Sequence, residues 1–311
     1  MAVESQLTRL VDPYNSETTL KEVLYLIALT DPDFQESRFK EVFTDTRRLF
    51  DGLYPGYRDC NTEYHDFSHT CAVMLAMSRL IHGAFLAGLV FSGREIGIGI
   101  IAALMHDTGY IQEIDDHKGT GAKHTLTHIG RSIAFLREYF KDDPAYGAGE
   151  MKDLADVLYC TGLAAKVGEI DFSSEKMAII GKMLGTADLV GQMADRLYLE
   201  KLLFLYREFV EGGVSQFTSE WDLLQKTIGF YDWTKQRFSG VFGGVDGYMI
   251  HHFRARWGID CDLYQECMRR NIDYLRNTIA HHQKDFIQHL RRGNMIEKLA
   301  LKNPEAPRHQ R

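Results

Sequence analysis

The sequence contains little proline and little cysteine. Six prolines occur in 311 residues, and no stretch rich in proline, glycine and serine interrupts the middle of the chain, so we expect one large domain. Five cysteines occur, an odd number, without any Cys-x-x-Cys spacing: Cys60, Cys71, Cys160, Cys261 and Cys267. This pattern argues against a disulfide framework and a zinc ribbon, and it is typical of the reduced thiols of a cytosolic protein.

The sequence also lacks an excess of positive charge and a long apolar run. Its net charge of −7 offers no general basic face for nucleic acid or acidic membranes, so only a local positive site could hold phosphate. The most apolar region, residues 81–105, is interrupted by SGRE and does not supply the ~20 unbroken apolar residues of a membrane span. The first twenty residues have an early glutamate and no continuous apolar stretch, so we expect no signal peptide. These absences predict a cytoplasmic protein that binds neither nucleic acid nor membrane.

Helical periodicity runs through almost the whole sequence. Apolar residues make up 45% of it and recur at spacings of three and four, whereas alternating β-branched runs are missing. The sequence therefore predicts an all-α fold. We expect one helix to end at Gly83 and a very apolar helix to end at Gly109. Glycine is favoured at the position that follows a helix end, because it adopts the left-handed conformation without strain. Further helices are expected at about 149–160, 173–193, 195–211, 217–238 and 260–291.

Histidines and carboxylates interrupt these apolar helices. His65 and His69 are four residues apart, which would place them one turn apart on the same helix face. His106 and Asp107 end the very apolar helix, and Asp188 is a lone acid in the buried stripe of a later one. Buried imidazoles and carboxylates cost several kcal/mol unless they are paired or bound to a metal. A mixed set of nitrogen and oxygen donors suits Zn²⁺, Mn²⁺, Fe or Mg²⁺ better than Ca²⁺.

Each of these residues also has a purely structural interpretation. A single histidine on an apolar helix is more often a hydrogen-bonded core residue than a metal ligand. Asp188 could pair with Arg196 or Lys182. His124 and His128 are again four residues apart, and they could belong to a solvated helix face. We expect two adjacent pairs to be surface or structural residues: His251–His252 and His281–His282.

Three segments, YHDFSHT, ALMHDTGY and GTADLVGQM, follow one another between residues 60 and 195. In this order they resemble the motifs of the HD superfamily of metal-dependent phosphohydrolases, most closely those of the class I cyclic-nucleotide phosphodiesterases. The resemblance implies a bundle of helices around a buried metal site. The ligands that it implies for a first divalent ion are His69, His106, Asp107 and Asp188. By the same resemblance, Asp107 bridges to a second ion and His65 is the general acid for the leaving oxygen.

The sequence departs from the phosphodiesterase pattern at two positions. Tyr110 stands where those enzymes have a further histidine, and Asp66 replaces the asparagine of the first motif. The segment HTLTHIGRS instead resembles the later histidine of bacterial HD-domain hydrolases, which implies that His128 contributes to the second metal site. Lys123 and Arg131 are the nearest cationic candidates for holding a substrate phosphate. The glutamine with which the phosphodiesterases read a purine has three alternatives here: Gln192, Gln225 and Gln236.

These observations predict a metal-dependent phosphohydrolase that acts on a cyclic nucleotide or a similar small phosphodiester with one or two divalent ions (Mg, Mn, Zn or Fe). The alternatives are a nucleotide phosphomonoesterase and a non-catalytic ligand-binding HD module. Apolar helix faces after residue 195 could form a homodimer surface as well as a lid. We expect N-terminal helices at 1–55, a metal-binding core at 56–195, helices that complete the same domain at 196–292 and a polar tail at 293–311.

Overall fold

The computed structural model describes residues 4–294, with side chains described for 7–293. Twelve α-helices lie in this part of the chain. The helices are α1 (Glu4–Leu10), α2 (Ser16–Thr30), α3 (Glu36–Phe50), α4 (Phe67–Leu86), α5 (Gly93–Met105), α6 (His128–Tyr139), α7 (Ala148–Tyr159), α8 (Glu175–Met193), α9 (Tyr198–Glu211), α10 (Glu220–Ser239), α11 (Tyr248–Trp257) and α12 (Leu263–His281). No β-strand occurs within residues 4–294, where one isolated bridge joins Tyr57 to Glu113. The all-α prediction is confirmed; residues 295–311 of the expected polar tail lie outside the described residues.

Helix α4 lies at the centre of the fold. It packs against α2, α5, α8 and α11, and an apolar surface on all its sides suits such a buried position. Asp66 caps its first turn, because the carboxylate accepts a hydrogen bond from the backbone N–H of His69 at 2.9 Å. Within residues 4–294, α4 alone is long and apolar enough to cross a membrane, but 83% of that apolar stretch is buried inside the protein.

The buried apolar side chains form one continuous cluster. It extends in sequence from Val11 to Leu290 and includes residues from each of the three helical regions that the sequence predicts. The two most apolar helices, α4 and α5, both pack against α8. These three helices position the polar groups described below.

Gly83 does not end α4, contrary to the sequence prediction. The helix continues to Leu86, and the glycine with a left-handed backbone that follows it is Gly88, with φ of +90°. Gly83 instead allows α11 to approach, because a Cβ atom there would lie 2.0 Å from the carbonyl oxygen of Tyr248. A distant backbone contact thus explains this glycine.

The later helices follow the predicted ranges with two exceptions. Helices α7, α8, α9 and α10 begin and end within three residues of the predicted bounds. Helix α12 ends at His281, ten residues before the predicted end at 291, because His282 leaves the helical conformation with φ of −130° and ψ of 35°. Helix α11 was not predicted. It is short, and it follows the glycine-rich segment GGVDG.

Candidate metal centre

Three helices bring the predicted first-metal ligands together. His69 lies in the first turn of α4, His106 directly follows the last residue of α5, and Asp188 lies in the second half of α8. Asp107 continues from α5 into a short 3₁₀ turn, Thr108–Tyr110. Helix α5 is buried along most of its length. The two polar residues that follow its C-terminal end, His106 and Asp107, are therefore buried as well.

The donor atoms of these side chains converge on a small volume. His106 Nε2 lies 3.0 Å from Asp107 Oδ2 and 3.3 Å from His69 Nε2. His69 Nε2 lies 3.4 Å from Asp107 Oδ2 and 3.3 Å from Asp188 Oδ1. One ligand atom each from His69, His106 and Asp107 falls within 4.8 Å of the others, and all three residues are buried. This buried His-His-Asp group could hold a metal ion, with Asp188 beside it.

The hydrogen bonds around the group favour a cation between the donors. His106 Nδ1 lies 2.9 Å from the carbonyl oxygen of Ala103, so Nδ1 must carry the proton and a neutral ring presents its lone pair at Nε2. That lone pair faces Asp107 Oδ2, a buried oxygen that has no hydrogen-bond partner among the described residues. Two electron-rich atoms at this distance repel each other unless a proton or a metal ion lies between them. The donor set therefore fits a divalent metal, with Ala103 fixing the orientation of one ligand.

Without a metal, a proton would occupy the same place. Burial opposes a charge on His106, but the Asp107 carboxylate outweighs it and raises the pKa of His106 to about 9. Burial likewise opposes ionisation of Asp107, yet the neighbouring His106 holds its pKa well below the usual range. Metal binding would displace the shared proton, so proton release should accompany it.

Asp188 is held by a glutamine rather than by a cation. Gln192 Nε2 lies 3.4 Å from Asp188 Oδ1, and Gln192 Oε1 accepts a hydrogen bond of 2.6 Å from the Tyr64 hydroxyl. Among residues 7–293, neither Arg196 nor Lys182 forms an ion pair with Asp188. The structural alternative for this residue is therefore not observed. Gln192, one of three candidates for reading a purine, has both its amide atoms within reach of site residues.

His65 lies beside the cluster but not on the helix of His69. Helix α4 begins only at Phe67, so the prediction of two histidines one turn apart on one helix is wrong, although the ring centroids are 6.1 Å apart. His65 Nδ1 donates to Glu208 Oε2 at 2.6 Å. Burial lowers the pKa of His65, but the charge and hydrogen bond of Glu208 reverse this effect and raise it overall.

Glu208 is a site residue that the sequence reasoning missed. It lies on α9, 143 residues from His65. Its Oε1 accepts the backbone N–H groups of Glu63 and Tyr64 at 2.8 and 2.7 Å, so the carboxylate is fixed before it meets His65. A signal was present, because Glu208 follows buried Phe204 by four residues and thus lies on the apolar stripe of its helix. Asp188 is predicted from the same kind of position, as a lone acid on the buried stripe of α8.

Tyr110 packs against two histidines of the site. Its ring stacks on His65 with centroids 4.3 Å apart and on His128 with centroids 4.6 Å apart, and it is 2% exposed. This tyrosine stands where the phosphodiesterase pattern has a further histidine. It gives both rings a rigid neighbour, and the rings of His65 and His128 also stack on each other with centroids 6.5 Å apart.

His128 begins α6 and faces the other oxygen of Asp107. His128 Nδ1 donates to the carbonyl oxygen of Thr125 at 2.7 Å, which leaves Nε2 as the acceptor, 3.9 Å from Asp107 Oδ1. Burial lowers the pKa of His128, so its imidazole is neutral near pH 7. His124 lies in a separate 3₁₀ turn, Gly121–His124, so the two histidines do not share a helix face. The solvated-face alternative therefore does not describe His128.

Gly109 allows α6 to approach the cluster. It does not end α5, as the sequence predicted, because that helix already ends at Met105. A Cβ atom at Gly109 would lie 1.9 Å from the carbonyl oxygen of His128. The Ser132 hydroxyl joins the same elements, since it accepts from the Gly109 N–H at 2.8 Å and donates to the His106 carbonyl at 2.6 Å.

The two predicted phosphate-binding cations have partners elsewhere. Lys123 Nζ binds the Asp116 carboxylate and donates to the carbonyl oxygen of Lys118 at 2.6 Å. Arg131 donates from Nε to the Gly109 carbonyl at 2.8 Å and from Nη2 to the Ile111 carbonyl at 3.0 Å. Arg131 therefore fastens the turn that follows Asp107. Phosphate binding by these residues stays a prediction.

Residues 55–238 match one protein-family model. The chain belongs to the Npun_R2479-like family. The matched segment includes every residue of the cluster as well as His65 and Glu208, so the whole site lies within the Npun_R2479-like region. No curated protein and no solved structure matches the chain.

Proposed function

We propose that this member of the Npun_R2479-like family is a cytoplasmic, metal-dependent phosphohydrolase that cleaves a cyclic nucleotide or a similar small phosphodiester. One observation carries the proposal: beside the buried donors around Asp107 lies a separate histidine, His65, held by the Glu208 carboxylate at 2.6 Å. A purely structural metal needs no independent proton donor next to it. The resemblance of three motifs to those of the HD phosphohydrolases supports the same conclusion.

In this proposal, His69, His106, Asp107 and Asp188 hold the first divalent ion. His128 faces the second oxygen of Asp107 and would contribute to a second ion. A divalent cation bound there supplies a nucleophile at neutral pH and neutralises charge on the phosphoryl oxygens. The protein itself fixes the ligands through backbone carbonyls, as at Ala103 and Thr125, and limits water by burial.

His65 would provide the proton for the leaving group. Its Nδ1–H is committed to Glu208, so Nε2 is the nitrogen that can pass a proton to a departing alkoxide. The negative charge of Glu208 stabilises the imidazolium form from which the proton is given. Tyr110 stacks on the same ring and restricts its rotation. Glu208 and Tyr110 are thus positioning residues, and His65 is the proposed catalytic acid.

The test is a hydrolysis assay with Mn²⁺, Mg²⁺, Zn²⁺ or Fe²⁺ on cyclic nucleotides, a linear phosphodiester and a nucleoside monophosphate. We expect turnover of a phosphodiester that is lost in Asp107→Ala and kept in His124→Ala, a histidine that pairs with Asp116 outside the cluster. Faster turnover of the monophosphate would favour the phosphomonoesterase instead. Stoichiometric metal binding without turnover of any substrate would favour the non-catalytic module.

A further inference from the structure

A cavity of about 570 Å³ lies beside α12, and three arginines line it: Arg270, Arg291 and Arg292. We call it the arginine cavity. One wall belongs to α12, and the other belongs to the chain that follows the 3₁₀ turn Phe286–His289. Among the described residues that line it, no carboxylate occurs, although acidic residues outnumber basic ones in the sequence by 43 to 36. The cavity is therefore a local concentration of positive charge on an acidic protein.

The protein itself does not neutralise this charge. Among residues 7–293, neither Arg270 nor Arg291 forms a hydrogen bond or an ion pair through its side chain. Arg292 differs, because its Nε pairs with Glu200 Oε1 on α9 at 3.2 Å. Positive groups that converge on one cavity repel each other, and they raise the local potential that attracts an anion. The missing counter-charge thus points to an anionic ligand.

The donor groups of the cavity suit phosphate. A guanidinium group presents a planar pair of N–H donors that matches two oxygens of one phosphate. Arg270 and Arg291 bring such groups from two different segments, and the exposed Gln288 also lines the cavity with a neutral amide. The volume lies within the range of about 300–1,000 Å³ that is usual for small-molecule pockets, so more than one phosphate group can enter. We propose that the arginine cavity binds a small anion with a diphosphate group, either free pyrophosphate or the diphosphate of a nucleotide.

The arginine cavity is distinct from the metal centre, although its walls are fastened to two helices of that centre. Asn271, which lines the cavity, donates from Nδ2 to the carbonyl oxygens of Met193 at 3.0 Å and Asp195 at 2.9 Å, at the end of α8. The ion pair between Arg292 and Glu200 connects the other wall to α9. None of the proposed metal ligands lines the cavity. Binding of a diphosphate here therefore requires no metal ion.

The first test is the affinity for inorganic pyrophosphate, measured by isothermal titration calorimetry on the full-length protein in EDTA at constant ionic strength. We expect Arg270→Gln and Arg291→Gln each to weaken binding about tenfold to a hundredfold, because each removes charged hydrogen bonds to phosphate. Arg269→Gln is the matched control, since this neighbour on α12 pairs with Glu266 and Asp273 instead. Equal affinities of Arg270→Gln and the unmodified protein would overturn the proposal.

The same titration with ADP identifies the source of the diphosphate group. Tighter binding of ADP than of pyrophosphate would indicate a nucleotide, and the reverse order would indicate the free anion. In either case the tighter ligand should lose affinity in Arg270→Gln. The absence of saturable binding of both probes to the unmodified protein would show that the cavity is not a diphosphate site.

A second measurement locates the bound anion. Arg291 is exposed and offers a trypsin cleavage site at the cavity. Pyrophosphate should slow cleavage after Arg291 several-fold in the unmodified chain and in Asp107→Ala, but not in Arg270→Gln. Protection that persists in Arg270→Gln, or that disappears in Asp107→Ala, would contradict binding in the arginine cavity. Because neither measurement needs a metal or turnover, both are independent of the proposed hydrolase activity.

Discussion

At the scale of single residues, burial of polar groups in apolar helices was the informative signal. It led from the sequence to His69, His106, Asp107 and Asp188, whose donor atoms lie within hydrogen-bonding or metal-binding distance of one another in the structure. For Glu208, the apolar stripe of α9 indicates burial, but no local spacing connects it with its partner His65, which is 143 residues away. The stacking of Tyr110 on His65 was likewise beyond sequence reasoning, since it depends on the path of the turn after Asp107.

His65→Ala tests the general-acid role. We expect metal content and fold to be kept, and we expect the rate on a substrate with an alkoxide leaving group to fall by about 10²–10⁴. An ester of nitrophenol should lose much less, because its leaving group departs without a proton. The two substrates are compared in steady-state assays of the same preparations. Equal losses on both would refute the role, and loss of metal would make His65 a ligand.

Glu208→Gln tests how the neighbouring carboxylate tunes His65. Glutamine keeps a hydrogen-bonding group near Nδ1 but removes the negative charge that raises the pKa of His65. The imidazolium should then lose its proton at lower pH, so the alkaline limb of the kcat/KM profile should shift to lower pH. Glu211→Gln on the same helix is the control, since that carboxylate binds Thr120. An unchanged profile would show that Glu208 does not set the protonation of His65.

His128→Ala tests the second ion. Because His128 faces only the Oδ1 side of Asp107, its loss should leave one ion at the cluster and reduce turnover. Metal content and kcat are measured on the same sample. Unchanged activity would indicate that His128 has only a structural role.

At the scale of helices, the sequence predicted the periodic segments well and their ends less well. Apolar spacing is a local property, so α7, α8, α9 and α10 were located within three residues. Gly83 and Gly109 were misread because each is required by a backbone contact from a distant element, with Tyr248 and with His128. A close approach between backbone segments that are distant in the sequence produces no periodic pattern from which it could be predicted.

Gly109→Ala tests the approach of α6 to the cluster. The added methyl group would overlap the backbone of His128, so we expect a loss of at least about 1–3 kcal/mol in the free energy of unfolding. Gly130→Ala is the matched control, because nothing lies within 4 Å of its added Cβ and alanine favours a helix by about 0.5–1 kcal/mol. Chemical denaturation measures both. Equal stabilities of the two variants would contradict the close approach.

At the scale of the whole molecule, one apolar core connects the helices, and a buried histidine pair lies within it. His82 on α4 and His252 on α11 join through their Nδ1 atoms at 3.1 Å. Burial, reinforced by the charge of Arg79, lowers the pKa of His252 from 6.5 to about 2. Below pH 6.5 the unfolded chain therefore takes up a proton that the folded protein does not bind, and stability falls as the pH falls.

His252→Gln should reduce this acid sensitivity. A histidine that stays neutral in the folded state costs about 2 kcal/mol of stability between pH 7 and pH 5, and the variant should lose correspondingly less over that interval. The comparison is the pH dependence of the free energy of unfolding, with His251→Gln as the control for a partly exposed neighbour. Parallel curves for His252→Gln and the unmodified protein would contradict the assignment.

Metal content of the intact protein tests the central claim most directly. The measurement compares chains with and without Asp107→Ala by elemental analysis after dialysis. We predict one or two divalent ions per chain with Asp107 present and none after its replacement, because the neighbouring carboxylate of Asp188, 3.3 Å from His69 Nε2 and 3.9 Å from His106 Nε2, is already one of the proposed ligands. Full metal stoichiometry in the Asp107→Ala variant would contradict the account.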